Sequence, residues 1–147
     1  MRSTTHLDFG VSGSALQVSQ VTALLDLTPT SAFNPSEEYI GRVKVGGTIV
    51  SVVRNRPSFG VWHYSTENKI ESQNVEDHAR FLMNELRPAK LGIDKLLQSS
   101  EYDLRLSIWY VGPIGFDISA ETMAQLATIC RNITIRCFEP VEVSPDE

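Results

Sequence analysis

Cysteine is almost missing from this sequence: of 147 residues, only Cys130 and Cys137 carry a thiol. Neither has a neighbour at C-x-x-C spacing, and His6, His63 and His78 include no H-x-x-x-H pair, so nothing points to a metal site. Long apolar runs are missing too, and none approaches the roughly 20 residues that a membrane-spanning helix needs. Positive charge is short, with 13 Lys and Arg against 18 Asp and Glu. The resulting net charge of −5 works against a broad electrostatic hold on nucleic acid or an anionic membrane. Neither dinucleotide-binding nor P-loop glycine spacing is present. The segment Gly10-Val11-Ser12-Gly13-Ser14 misses the G-x-S-x-G nucleophile elbow at its last position, and Gly112-Pro113-Ile114-Gly115 has no hydroxyl. Both stretches read as turns in which glycine supplies positive φ. The first six residues lead straight into a strand with no apolar signal region. The expectation is a cytoplasmic protein with two reduced thiols, no cofactor, no metal and no membrane association.

What is present describes one domain over residues 1–147, with 140–147 a frayed acidic tail. Apolar residues at 41% and charged residues at 21% suit a globular chain. The two ends repeat each other. Leu7 to Val11 alternates like a strand, and Val18-Ser19-Gln20-Val21-Thr22 opens a helix; Leu104 to Tyr110 alternates, and Ile118-Ser119-Ala120-Glu121-Thr122 opens another. Ser19 and Ser119 serve as N-caps, the second reinforced by an Ile118/Met123 staple. Pro29 ends the first helix, and residues 30–38 read as a loop. Between the repeats, Tyr39–Val45 and Thr48–Arg54 form a hairpin around Gly46-Gly47, followed by a strand over 61–65. Asn74 caps a helix whose apolar positions Ala79, Leu82, Met83 and Leu86 follow the helical period, with Pro88 at its end. A short helical piece at 91–97 and a closing strand at 133–138 complete the pattern. The fold class is α+β: an antiparallel or mixed sheet of about six strands, helices on one face, and an internal strand–turn–helix duplication.

Leu27-Thr28-Pro29-Thr30, the block Gly60-Val61-Trp62-His63-Tyr64-Ser65, and His78 near the start of a Leu-rich helix occur together. In these the chain resembles an uncharacterised family of small bacterial α+β domains known only as a domain of unknown function. The resemblance implies a bacterial, stand-alone cytosolic protein and brings no catalytic residues with it. Small acidic α+β proteins of this kind are similar to immunity proteins that block toxins, by analogy of shape and charge only.

Candidate functional residues gather in two places. Arg42, Lys44, Arg54 and Arg56 concentrate positive charge on the hairpin, with Phe59 and Tyr64 nearby. Such a surface suits a protein interface or, with aromatics to stack on, single-stranded nucleic acid. Its plain alternative is a solvated hairpin whose charges protect its edges. The second place is the helix start at Glu76, Asp77 and His78, where an acid–base or ligand role competes with local capping and pairing. His63 alternates with Trp62; Trp62 belongs in the core, which leaves His63 and Val61 on the opposite face. The reading favoured is a non-enzymatic protein-interaction module, immunity-like at most by analogy. The alternatives are a small-molecule binder or enzyme using the cleft between the two repeats, and a single-strand binder, the nucleic acid being the less favoured partner. A homodimer through the hairpin edge also fits the pattern.

Overall fold

The computed structural model describes residues 4–139; the expected frayed tail at 140–147 lies outside them. Among the described residues, seven strands and four α-helices follow one another. They are β1 (His6–Gly13), α1 (Val18–Leu25), β2 (Ser31–Phe33), β3 (Glu38–Val45), β4 (Thr48–Asn55), β5 (Gly60–Ser65), α2 (Val75–Leu86), α3 (Lys90–Gln98), β6 (Asp103–Val111), α4 (Ala120–Leu126) and β7 (Asn132–Phe138). A single 3₁₀ turn at Arg87–Ala89 carries Pro88 and joins α2 to α3. Pro88 thus ends the α-helical ladder without breaking the path of the chain.

The strands divide into a five-stranded sheet of order β2-β5-β1-β6-β7 and a separate hairpin, β3-β4. Within the main sheet β6 and β7 run parallel, and every other neighbouring pair is antiparallel. Period-2 alternation gives the sheet one apolar face. Leu7, Phe9, Val11, Trp62, Tyr64, Leu104, Leu106 and Ile108 are all buried there, against Val21, Leu25, Ala79, Leu82, Leu86, Ile93 and Leu126 of the helices. The helices therefore cover one face, as an α+β chain with this patterning requires. The other face carries His6, Asp8, Gly10, Ser12, His63, Arg105, Ser107 and Trp109.

Local signals explain most of the boundaries. Asn74 accepts a hydrogen bond from the Glu76 amide at 2.9 Å, and Ser119 accepts from the Thr122 amide at 3.1 Å, so both are N-caps. Ser19 is not: α1 begins at Val18, its N-cap residue Gln17 makes no capping bond, and Asn34 Oδ1 accepts from the Val18 amide at 2.8 Å. A distant loop residue does there what the expected local cap would have done. Gly46 and Gly47, at φ 56° and 84°, form the two-residue hairpin turn. Among the described residues they are the positive-φ glycines, so the positive-φ reading of Gly112 and Gly115 and the turn reading of Gly10 and Gly13 need correction, the latter pair most. Both lie inside β1, and a Cβ on Gly13 would sit 2.5 Å from the Glu101 carbonyl oxygen. Close backbone approach, not an unusual φ, calls for glycine at that position. No helix among the described residues is long and apolar enough to cross a membrane.

Candidate functional site

The hairpin stands apart from the main sheet, and its side chains face outward on both sides. Ile40, Val45, Ile49 and Val53 are all more than 60% exposed. Register places Arg42 and Lys44 on one face with Ile40, Ile49 and Val53; Arg54 shares the other face with Val43, Val45, Val50 and Val52. Arg56 lies beyond β4, its guanidinium carbon 4.0 Å from the Tyr39 ring centre and 5.0 Å from that of Phe33. It clamps the base of the hairpin by cation–π contact. Phe59 is exposed just before β5.

Tyr64 does not join this surface. It lies on the core face, where its hydroxyl donates to Glu85 Oε2 at 3.2 Å and Lys69 Nζ stands 4.1 Å from its ring centre. Burial first, then the Glu85 charge, pushes its pKa up to about 12.

His78 and Glu76 are tied into the scaffold. His78 is buried, and Ser72's carbonyl accepts from its Nε2 at 2.8 Å. Its Nδ1 meets the Thr66 hydroxyl at 2.7 Å, and that same oxygen accepts the Leu7 amide at 2.9 Å. The imidazole therefore links α2 to the central strand through one threonine. A cavity of about 610 Å³ beside residues 68–73 reaches His78, yet both ring nitrogens are already engaged. Glu76 accepts from the Ser119 amide at 3.1 Å, the Ser119 hydroxyl at 2.9 Å and the Thr122 hydroxyl at 2.7 Å. The Thr122 bond foremost, then those from Ser119, holds its carboxyl below the usual range. Glu76 thus anchors the start of α4 to α2, with Arg80 3.4 Å away. Asp77 accepts from the Ser72 hydroxyl at 2.8 Å.

His63 belongs to a different group, on the helix-free face of the main sheet. Its Nε2 lies 3.5 Å from Asp8 Oδ2, and its Nδ1 is 3.4 Å from the Ser31 hydroxyl. His6 reaches the same Asp8 oxygen at 3.5 Å through Nε2, while its Nδ1 donates to the Thr4 carbonyl at 2.7 Å. Register sets His6 one row before Asp8 and His63 one row beyond it, so the imidazoles flank the carboxylate from opposite sides. Among the described residues no three His, Cys, Asp or Glu groups gather as metal ligands.

Burial alone would raise the Asp8 carboxyl, but its contacts with His6, His63 and Ser65 hold it well below the usual range. Burial would likewise lower His6; Asp8, the Thr4 carbonyl and Glu67 outweigh it, and His6 is raised. Asp8 Oδ1 and Trp109 Nε1 are buried with no hydrogen-bond partner among the described residues. Leaving such an atom unpaired costs about 1–3 kcal/mol. Trp109 itself is stacked between His6 and Phe138, with ring centres 5.7 Å away on each side.

Sequence reasoning placed His63 on this face but passed over His6 and Asp8. The signal was there: in His6-Leu7-Asp8-Phe9-Gly10-Val11-Ser12, every second residue of a core strand is polar or lacks a side chain. Cys130 is buried and Cys137 exposed, and both are free thiols. With this geometry in place, comparison gives a family without an activity. The chain belongs to the family described as a domain of unknown function (DUF4279), which matches residues 3–137. Among curated proteins and solved structures, nothing matches it.

Proposed function

We propose that this DUF4279 domain is a bacterial, cytoplasmic, non-enzymatic interaction module that grips an acidic protein through the β3–β4 hairpin and masks the surface it covers. The observation that carries this reading is the free-standing hairpin with aliphatic side chains exposed on both faces. A two-stranded hairpin is marginal in water by itself, and exposed apolar patches of this kind mark interaction surfaces. Arg42, Lys44 and Arg54 lie among those aliphatic residues, and no ion pair ties them to another described residue. Cations left free beside apolar groups complement an acidic partner and guide its approach. The open edge of β3 also offers backbone groups for strand addition. A second copy fits that edge less well, because antiparallel self-pairing of β3 about its Val43 position would set Arg42 against the other copy's Lys44. Single-stranded nucleic acid fits less well again, since Tyr64 is buried and Tyr39 lies under Arg56.

The test compares wild type with two variants. In one, residues 40–53 are replaced by Asn-Gly, so that the Tyr39–Arg54 pair closes a two-residue turn. In the other, Arg42→Glu and Arg54→Glu are combined. Captured partners are purified, and binding is measured by titration calorimetry at two salt concentrations. The expected result is a stoichiometric complex with an acidic protein, abolished by the shortened hairpin and weakened roughly tenfold or more by the charge reversals. A complex indifferent to both variants sinks the reading. So does hairpin-dependent dimerisation seen by light scattering, which would make a second copy the occupant.

A further inference from the structure

A shallow cavity of about 180 Å³ lies on the helix-free face of the five-stranded sheet, away from the hairpin reading above. Asp8, Gly10, Ser12, His63, Arg105 and Ser107 line it, with the Asp103 carboxylate beside Arg105 at its edge. Its floor is low because the middle residues are small: Gly10 has no side chain, and Ser12 and Ser107 have short ones. Pairing of Asp8 with Ser107 and of Gly10 with Arg105 makes Asp8 and Arg105 diagonal neighbours across the glycine. A buried carboxylate and a half-exposed guanidinium thus border one trough.

Each charge has capacity left. The two imidazoles converge on Asp8 Oδ2 and Ser65 pairs with Asp8 across the strands, yet Oδ1 is buried and makes no hydrogen bond among the described residues. Arg105 meets Asp103 through one nitrogen only, at 3.8 Å, which leaves most of its five N–H donors unused. An orphaned anionic acceptor calls for a donor, and a planar guanidinium calls for a carboxylate. Aromatic ligands find no platform here. His6 and Phe138 cover the two faces of Trp109, and Arg56 covers Phe33.

From these features we infer that the trough binds a small non-aromatic zwitterion of the α-amino-acid class. Its ammonium donates to Asp8 Oδ1, and its carboxylate accepts from Arg105. Ser12 and Ser107 lie along the remaining wall, and the missing Gly10 side chain leaves room for the ligand's backbone.

Thermal-shift and calorimetric titration with each of the twenty α-amino acids tests this directly. Butylamine, acetate and glycylglycine serve as comparison probes. At least one non-aromatic amino acid is expected to raise the melting temperature saturably, by roughly 5 °C. Arg105→Gln and Asp8→Asn should each weaken that ligand roughly tenfold or more. Gly10→Val keeps the test independent of any folding defect in Asp8→Asn. A Cβ at Gly10 would meet only the Arg105 carbonyl oxygen at 3.7 Å and His63 Cδ2 at 3.9 Å, which are ordinary contacts, so the position admits a side chain and valine is expected to fold while occupying the trough. Loss of binding in Gly10→Val with an unchanged far-UV spectrum supports the site. No saturable shift with any amino acid overturns the proposal. Equal binding of butylamine or acetate alone, or tighter binding of the dipeptide, overturns the ligand class.

Discussion

Asp8 and His6 stabilise each other only where the first is charged and the second protonated, and their shifts fix the pH window. His6 is raised above its ordinary value of 6.5, so its contribution is complete below that value and is lost as pH rises through the folded value. Asp8 is lowered from its ordinary 3.8, so its contribution is present above that value and is lost as pH falls towards the folded one. The groups facing His6 are Asp8 on its own strand, Glu67 beyond β5, and Trp109 on β6 with Arg136 over its ring. The urea midpoint is therefore expected to fall as pH rises above the ordinary histidine value of 6.5, and His6→Gln should flatten that slope. An unchanged slope in the variant would assign the pH dependence to other groups. The sequence made such roles only partly legible. His78 and Glu76 stand out because a histidine beside two acids resembles reactive chemistry, yet His78 is consumed by Ser72 and by Thr66, whose hydroxyl also holds the Leu7 amide 59 residues away, and Glu76 by Ser119 and Thr122, 43 and 46 residues away. Contacts of that range leave no local trace in a sequence.

Elements were easier to read where a local rule fixes them. The Gly46-Gly47 turn, the Asn74 and Ser119 caps, and the α2 apolar stripe all follow from neighbours within a few residues. Residues 30–38 read as loop in the sequence, yet three of them, Ser31–Phe33, pair with β5 as β2. Their strand character comes from His63, Trp62 and Val61 alongside them and not from their own pattern. Helix contact gives the sharpest prediction at this scale. A Cβ on Gly92 in α3 would stand 2.5 Å from the Leu24 carbonyl oxygen and 3.1 Å from Leu25 Cδ2 in α1. Gly92 normally lowers helix propensity relative to alanine, so an exposed site would gain from the change. Here backbone blocks the new methyl, and the two helices must move apart. Gly92→Ala is expected to destabilise the protein by about 1–3 kcal/mol, read from the urea midpoint at constant m-value. A stabilised variant would show that α1 and α3 are not held as close as the structure has them.

For the whole molecule, β1 is what binds the parts together. It is the middle strand, paired on one side with β5 and on the other with β6, and its apolar residues meet the helical layer while His6 and Asp8 face the opposite side. None of that order could be read from local pattern, because β1 pairs with strands that begin some 50 and 100 residues later. A strand shared in this way couples the two faces: the core cannot open without losing the register that sets Asp8 between its histidines. The two tryptophans report on the two faces separately. Trp62 is buried in the core with its indole donating to Thr22 at 3.1 Å, and Trp109 stands on the helix-free face between His6 and Phe138. Far-UV circular dichroism, the fluorescence of wild type and the fluorescence of Trp109→Phe should therefore follow single urea transitions, with the first two sharing one midpoint. The variant's transition reports Trp62 alone, and its fluorescence and dichroism should coincide with each other even if the substitution moves both. Shortening the hairpin should leave these transitions nearly in place, because β3 and β4 pair only with each other. Separate transitions for Trp62 and for the whole would mean that the sheet face and the core unfold independently, and that β1 does not couple them.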